Sequence, residues 1–92
     1  MIQVENNDLK RVGVKIGFIQ GNYILDHNGH KLGYFENNKI FNIASKELGY
    51  IEGEYLKMPN NNVGIRLEDN HKEVDGGIIS DLCRAAIRLL LG

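Results

Sequence analysis

The residues best suited to chemistry lie in one short turn. Asp26-His27-Asn28-Gly29-His30 holds two imidazoles at H-x-x-H spacing beside a carboxylate, and neutral imidazole and carboxylate are ligands that zinc accepts. With Asp26 or His71 completing the set, His27 and His30 would make a metal-binding protein or a metal-dependent hydrolase. Structural zinc takes four ligands, however, and no third ligand adjoins the pair. A turn also does not hold two side chains on one face as a helix does. Surface turn histidines without a metal or other cofactor are therefore the expected reading. The series Asp26-x-Asn28-x-His30 has the opening spacing of a calcium loop but lacks its acidic positions and its closing bidentate glutamate.

Aromatic and acidic side chains form the second set. Phe18, Tyr34 and Tyr50 stand sixteen residues apart, with Tyr23 and Tyr55 nearby, and together they could stack a sugar, a base or a protein partner. Glu36 and Glu52 hold equivalent places with Gln20, Glu68 and Glu5, a set that could ring a cation or a basic partner. Phe18, Tyr34, Tyr50, Glu36 and Glu52 are the partner-binding candidates. The plainer reading is that the tyrosines pack in strands with hydrated hydroxyls and the acids pair with cross-strand lysines such as Lys39. Cys83 falls on the apolar side of a helix, where a thiol packs as a small inert group, and only His71 is near it in sequence. Ser45 and Ser80 sit in no motif. With no catalytic set, the expected function is a small non-enzymatic structural or interaction module.

The elements that position these groups follow from a repeat. Gly17, Gly33 and Gly49 are each preceded by an aliphatic and followed by an aromatic, and GFIQGNYIL, GYFENNKIF and GYIEGEYLK align without a gap. Val4 to Leu9 and Leu67 to Lys72 are weaker copies, so five turn units are expected, the outer ones degenerate as capping units tend to be. Gly-Asn, Asn-Asn, Gly-Glu and Asp-Asn are dipeptides suited to two-residue hairpin tips. With Asn37-Asn38 as a tip, Phe35 faces Ile40 on one side of the sheet and Tyr34 faces Phe41 on the other, since side chains alternate. The same register pairs Val4 with Leu9, Ile19 with Ile24 and Ile51 with Leu56, the predicted core. The opposite face carries Phe18/Leu25, Tyr34/Phe41 and Tyr50/Lys57. Asp26 to Lys31, Asn42 to Glu47 and Met58 to Asn62 read as the turns between hairpins.

After Asp75 the pattern changes. Asp75-Gly76-Gly77 reads as a helix start, and residues 78 to 91 contain no breaker. Ser80, Asp81, Arg84 and Arg88 share one stripe of that helix while apolar residues cover the rest. So wide an apolar surface must either plug the hairpin assembly or be shared with a second subunit, and a homo-oligomer through the helix or the aromatic face is expected. The chain of 92 residues reads as one domain, with hairpins over 1–74 and the helix over 76–91. The fold class is mainly β, with sixteen-residue hairpin repeats around a pseudo-rotation axis and one C-terminal α-helix. Eleven basic residues against twelve acidic give a formal charge of −1, no footprint for nucleic acid. Eleven glycines against one proline suggest frequent turns. A single cysteine rules out an internal disulfide framework. The absence of a signal-like or membrane-spanning stretch leads to the expectation of a cytoplasmic protein with no membrane partner.

The repeated aliphatic-Gly-Tyr-Ile/Phe-acid-turn-Tyr/Lys-Ile pattern, followed by an apolar helix, resembles the bacterial β-flower proteins, in particular the fourfold β-flower group. The resemblance covers Ile16 to Leu56 well and Ile65 to Leu91 loosely. It implies hairpins arranged like petals about a pseudo-symmetry axis and assigns no activity or site residues. Gly21 to Gly33, GNYILDHNGHKLG, is also similar to the choline- or glucan-binding repeats of cell-wall proteins, which would imply carbohydrate binding through aromatic cages. This chain departs from that pattern in having no tryptophan and a sixteen-residue period.

Overall fold

Hairpin tips set the architecture. The computed structural model describes the backbone of residues 1–92 and the side chains outside 61–63. Two-residue tips fall at Asn6-Asn7, Gly21-Asn22, Asn37-Asn38 and Gly53-Glu54, where the dipeptides predict them. Asn37 and Asn38 both have positive φ (51° and 63°), the type I′ requirement that asparagine tolerates better than most residues. The strands are β1 (Ile2–Glu5), β2 (Asp8–Arg11), β3 (Val14–Gln20), β4 (Tyr23–Asp26), β5 (Lys31–Glu36), β6 (Lys39–Asn42), β7 (Glu47–Glu52), β8 (Tyr55–Met58) and β9 (Asn61–Arg66). Helix α1 (Leu67–Glu73), strand β10 (Val74–Asp75) and helix α2 (Asp81–Leu91) follow. One ten-stranded sheet results, in the order β10-β1-β2-β3-β4-β5-β6-β7-β8-β9. Its strands are antiparallel neighbours in chain order, except that β10 lies parallel to β1.

The expected pairs are all present: Val4 with Leu9, Ile19 with Ile24, Phe35 with Ile40 and Ile51 with Leu56. Each inner row extends one strand further, through Leu9 to Gly17, Ile24 to Gly33, Ile40 to Gly49 and Leu56 to Ile65. Leu9, Ile24, Ile40 and Leu56 are fully buried. The register shifts directly after each of them, between Leu9/Lys10, Ile24/Leu25, Ile40/Phe41 and Leu56/Met58. A bulge bends its strand and raises the local twist, so four in series curl the meander.

What the sheet curls around is α2. From Leu82 to Leu91 no residue of this helix is exposed, and Ala85, Ala86 and Ile87 are fully buried. The glycines of the inner rows make room for it. A β-carbon on Gly17 would lie 2.9 Å from Leu91 Cδ1, one on Gly33 2.8 Å from Leu90 Cδ2, and one on Gly49 2.8 Å from Leu89 Cδ1. Successive residues of an α-helix project about 100° apart. Three consecutive leucines touching β3, β5 and β7 therefore mean that the sheet passes around the helix rather than along one side. These three glycines have no positive φ; they serve close approach and not turning, the role that composition alone suggests for them.

Three expectations change, and the polar stripe of the C-terminal helix gains a direction. Leu67 to Lys72, read as a fifth turn unit, lies within α1. Its acids Glu68 and Asp69 occupy the first turn and its bases His71 and Lys72 the last, which suits the helix dipole. The second helix begins at Asp81 and not at residue 76, because Gly76 and Gly77 sit at φ 85° and 73°, outside the helical region. Ser80 caps it by accepting from Cys83 N at 3.0 Å. The polar stripe of α2 faces protein: Asp81 meets His71, Arg88 meets Asn70, and Arg84 Nη1 donates to the carbonyls of Val74 (2.6 Å) and Gly76 (3.0 Å). The turn expected over Met58 to Asn62 narrows to Pro59-Asn60, since Met58 pairs with Asn61.

Candidate functional site

The outer face of the sheet carries the aromatic residues. Side-chain alternation puts Phe18, Tyr34 and Tyr50 outward wherever Gly17, Gly33 and Gly49 point in. Phe18 stands opposite Leu25, Tyr34 lies between Tyr23 and Phe41, and Tyr50 lies between Lys39 and Lys57. Tyr34 stacks on Phe41 with ring centroids 5.0 Å apart and meets Tyr23 at 5.8 Å in a tilted contact. Its hydroxyl donates to Ser45 Oγ at 2.7 Å. Lys15 Nζ lies 4.9 Å from the centre of the Phe18 ring, and Lys31 Nζ 4.1 Å from that of Tyr23, within cation–π range. Phe18, Tyr23, Tyr34, Phe41 and Tyr50 are all half-buried, while Leu25 beneath this layer is only 4% exposed.

The histidine turn has a structural explanation. Asp26 Oδ1 accepts from the backbone N–H groups of Asn28 and His30, both at 2.9 Å. The bond from His30 N is the main reason the carboxyl is held below its ordinary pKa. In the next loop, sixteen residues on, Asn42 Oδ1 accepts from Ala44 N (2.9 Å) and Lys46 N (3.0 Å) in the same way. An amide doing the same work shows that the position needs an oxygen acceptor to close the loop, independent of charge. Asp26 Oδ2 and His30 Nδ1 come within 3.3 Å. Among the described residues His27 shares no hydrogen bond or ion pair with them, and His71 is paired elsewhere, 3.3 Å from Asp81. Among the described residues no three His, Cys, Asp or Glu side chains converge as a metal set.

The acids are dispersed. Glu36 stands opposite Lys39 in the ladder as expected, but Lys39 pairs with Glu47 at 3.4 Å. Glu52 binds Lys57 at 2.8 Å, and this hydrogen bond is what raises the ammonium pKa. Glu68 leaves the series because it lies in α1, 3.8 Å from Arg66. Cys83 is 5% exposed and burial pushes its thiol pKa up to about 11, so it is a packing group.

Two features had no sequence signal. Ser45 is the hydroxyl partner of Tyr34, held at φ 65° in the place that Gly29 takes one loop earlier. A cavity of about 370 Å³ opens where Met1, Ile2 and Arg11 meet Glu73, Arg88 and Leu89, residues far apart in sequence. Among the described residues no helix is long and apolar enough to cross a membrane. In comparison with known proteins, the chain matches no family model, no curated sequence and no solved structure.

Proposed function

We propose that this protein is a non-enzymatic interaction module whose partner seats on the outer aromatic face. The observation that carries the reading is the stacked group Tyr23, Tyr34 and Phe41, with Phe18 and Tyr50 further along the same face, half-exposed on a sheet whose inner face is already filled by α2. Contiguous exposed apolar surface marks interaction sites, and aromatic residues are enriched in them. Tyr34, locked by Ser45 and stacked on Phe41, loses little further freedom on binding, which favours affinity. Glu52 and Glu36 border this face and would set charge preference.

The β-flower arrangement is the architecture we favour for displaying that face, with α2 on the pseudo-symmetry axis. Backbone bonds from Ile19 N to Asn7 O, Phe35 N to Asn22 O, Ile51 N to Asn38 O and Leu67 N to Glu54 O support a sixteen-residue unit, since their donors are sixteen residues apart. The shared Asp26 and Asn42 loop closures support it too. Enclosure of α2 withdraws the helix from the surfaces open to the expected homo-oligomer.

The test is an NMR titration with aromatic-rich peptides, glucan fragments, choline and zinc, repeated with Tyr34→Ala/Tyr50→Ala. Shifts confined to the aromatic face and abolished in the variant are expected. Stoichiometric zinc with shifts at Asp26, His27 and His30 would replace this reading with a metal-binding one. Glucan or choline binding would assign the face to carbohydrate or quaternary-amine ligands, as in the cell-wall repeats.

A further inference from the structure

The hairpin tip between β2 and β3 is a poor choice of residues for a tip. Val12 sits at φ 51° and Gly13 at 77°. Glycine accepts this geometry, whereas a β-branched residue with positive φ is an outlier. Val12 is also 92% exposed, so no packing within the chain compensates for the strain. Val14, beyond the tip, is 64% exposed and Met1 60%. Strands β1 and β2 are paired, Gln3 opposite Lys10, and Met1 precedes β1 while Val12 follows β2. Three exposed apolar residues thus belong to adjoining strand ends.

Beside this knob lies the cavity of about 370 Å³, with Met1, Ile2 and Leu89 as apolar wall and Arg11, Glu73 and Arg88 at its polar side. It is large enough for a valine side chain. A knob and a socket on adjacent surface, with charges of both signs, form a self-complementary patch, which is the requirement for an isologous two-fold contact. Arg11 and Glu73 are both exposed and form no ion pair with each other; Arg11 Nη2 donates to the Leu91 carbonyl at 3.3 Å, an exposed bond that a partner carboxylate would replace. A membrane surface is a weaker occupant, because the flanking bases Lys10 and Lys15 are already paired with Glu5 and Asp8 at 3.2 and 3.1 Å.

We infer that this patch docks a second copy of the chain, Val12 of each protomer entering the other's cavity and Arg11 of each facing the partner's Glu73. The aromatic face is left free, so the contact goes beyond the interaction reading above. The test is light scattering and sedimentation of the whole protein from about 1 μM to about 1 mM, the range that brackets a weak dimer. A reversible dimer is expected. Val12→Gly relieves the φ strain and should raise the melting temperature of the monomer while weakening the dimer at least about 100-fold, since two buried valines are lost and each is worth tenfold or more. Arg11→Glu and Glu73→Arg should each be monomeric alone and form a mixed dimer when combined, because only the mixture restores both opposite-charge contacts. Tyr34→Ala/Tyr50→Ala should leave the dimer intact. A wild-type monomer over the whole range, a dimer that survives Val12→Gly, or charge variants that fail to pair would overturn the inference.

Discussion

Gly33→Ala tests the close packing of the inner glycine row against its neighbouring strand and α2. The added β-carbon would fall on the Phe41 carbonyl oxygen of the neighbouring strand and lie within 2.8–2.9 Å of both methyls of Leu90. Leu90 can change rotamer, but the carbonyl belongs to a strand paired on both sides and has little room to yield. Overpacking a core costs about 1–3 kcal/mol, and a clash with backbone belongs at the upper end. Against the roughly 5–15 kcal/mol that holds a small domain together, this is a large fraction. At about 4–8 °C per kcal/mol for a domain of this size, the midpoint should fall by about 12–24 °C. Gly49→Ala meets Lys57 O at 3.0 Å and Leu89 Cδ1 at 2.8 Å, an easier fit, and should cost about 1 kcal/mol. The assay is urea and thermal unfolding followed by circular dichroism, with equal m-values required. If Gly33→Ala lies within about 0.5 kcal/mol of wild type, the range of a neutral surface change, or if Gly49→Ala is the more damaging, the glycines are not positions of close approach to strand and helix.

Removing residues 77–92 should leave an unfolded chain by circular dichroism, because α2 supplies the centre of the core; a folded truncation would mean that the sheet closes without it. Cys83 should resist a thiol reagent at pH 8 in the native protein and react on denaturation. Its folded pKa is raised from 9.0 to about 11, so its contribution to stability is complete below 9.0 and lost as pH rises towards 11, which unfolding scans against pH in Cys83→Ala would reveal by a flatter alkaline limb. Asp26 works in the opposite sense, its lowered pKa giving stability above the ordinary carboxylate value that disappears as pH falls through the depressed one. Asp26→Asn should therefore keep the loop, as Asn42 does, and lose that acid dependence, whereas Asp26→Ala should open the loop at every pH, read by amide exchange at Asn28 and His30.

Pairing within hairpins was legible because two local signals agree at each one. Asn37-Asn38 specifies where the chain reverses, and alternation then determines that Phe35 and Ile40 share a face. Signals of that kind do not extend to contacts made across the chain. Gly33 reads only as a repeat marker until Leu90 is known to lie against it. Leu67 to Lys72 carries the same Glu-Asp-Asn character as a tip, and it becomes a helix where Arg88 meets Asn70 and Asp81 meets His71. The polar stripe of α2 was recognisable, but its direction depended on the carbonyls of Val74 and Gly76 being there to receive Arg84. For the candidate site, the aromatic face followed from alternation, while the loop-closing role of Asp26 showed only when its bonds could be compared with those of Asn42.

Helix α2 comes after all ten strands in chain order, and this has a consequence for biosynthesis. A ribosome releases every hairpin before it releases the leucines that fill the sheet. Until then Leu9, Ile24, Ile40 and Leu56 have no core to enter, and isolated hairpins are marginal in water. Local pairing can form and dissolve during synthesis, but closure waits for the helix and should be a single late event. During that interval a nascent chain displays several apolar strand faces at once, the condition under which chains associate with one another. A slower passage through residues 76–92 would lengthen that exposure, so codon choice in this stretch should influence soluble yield more than the same change in any one hairpin.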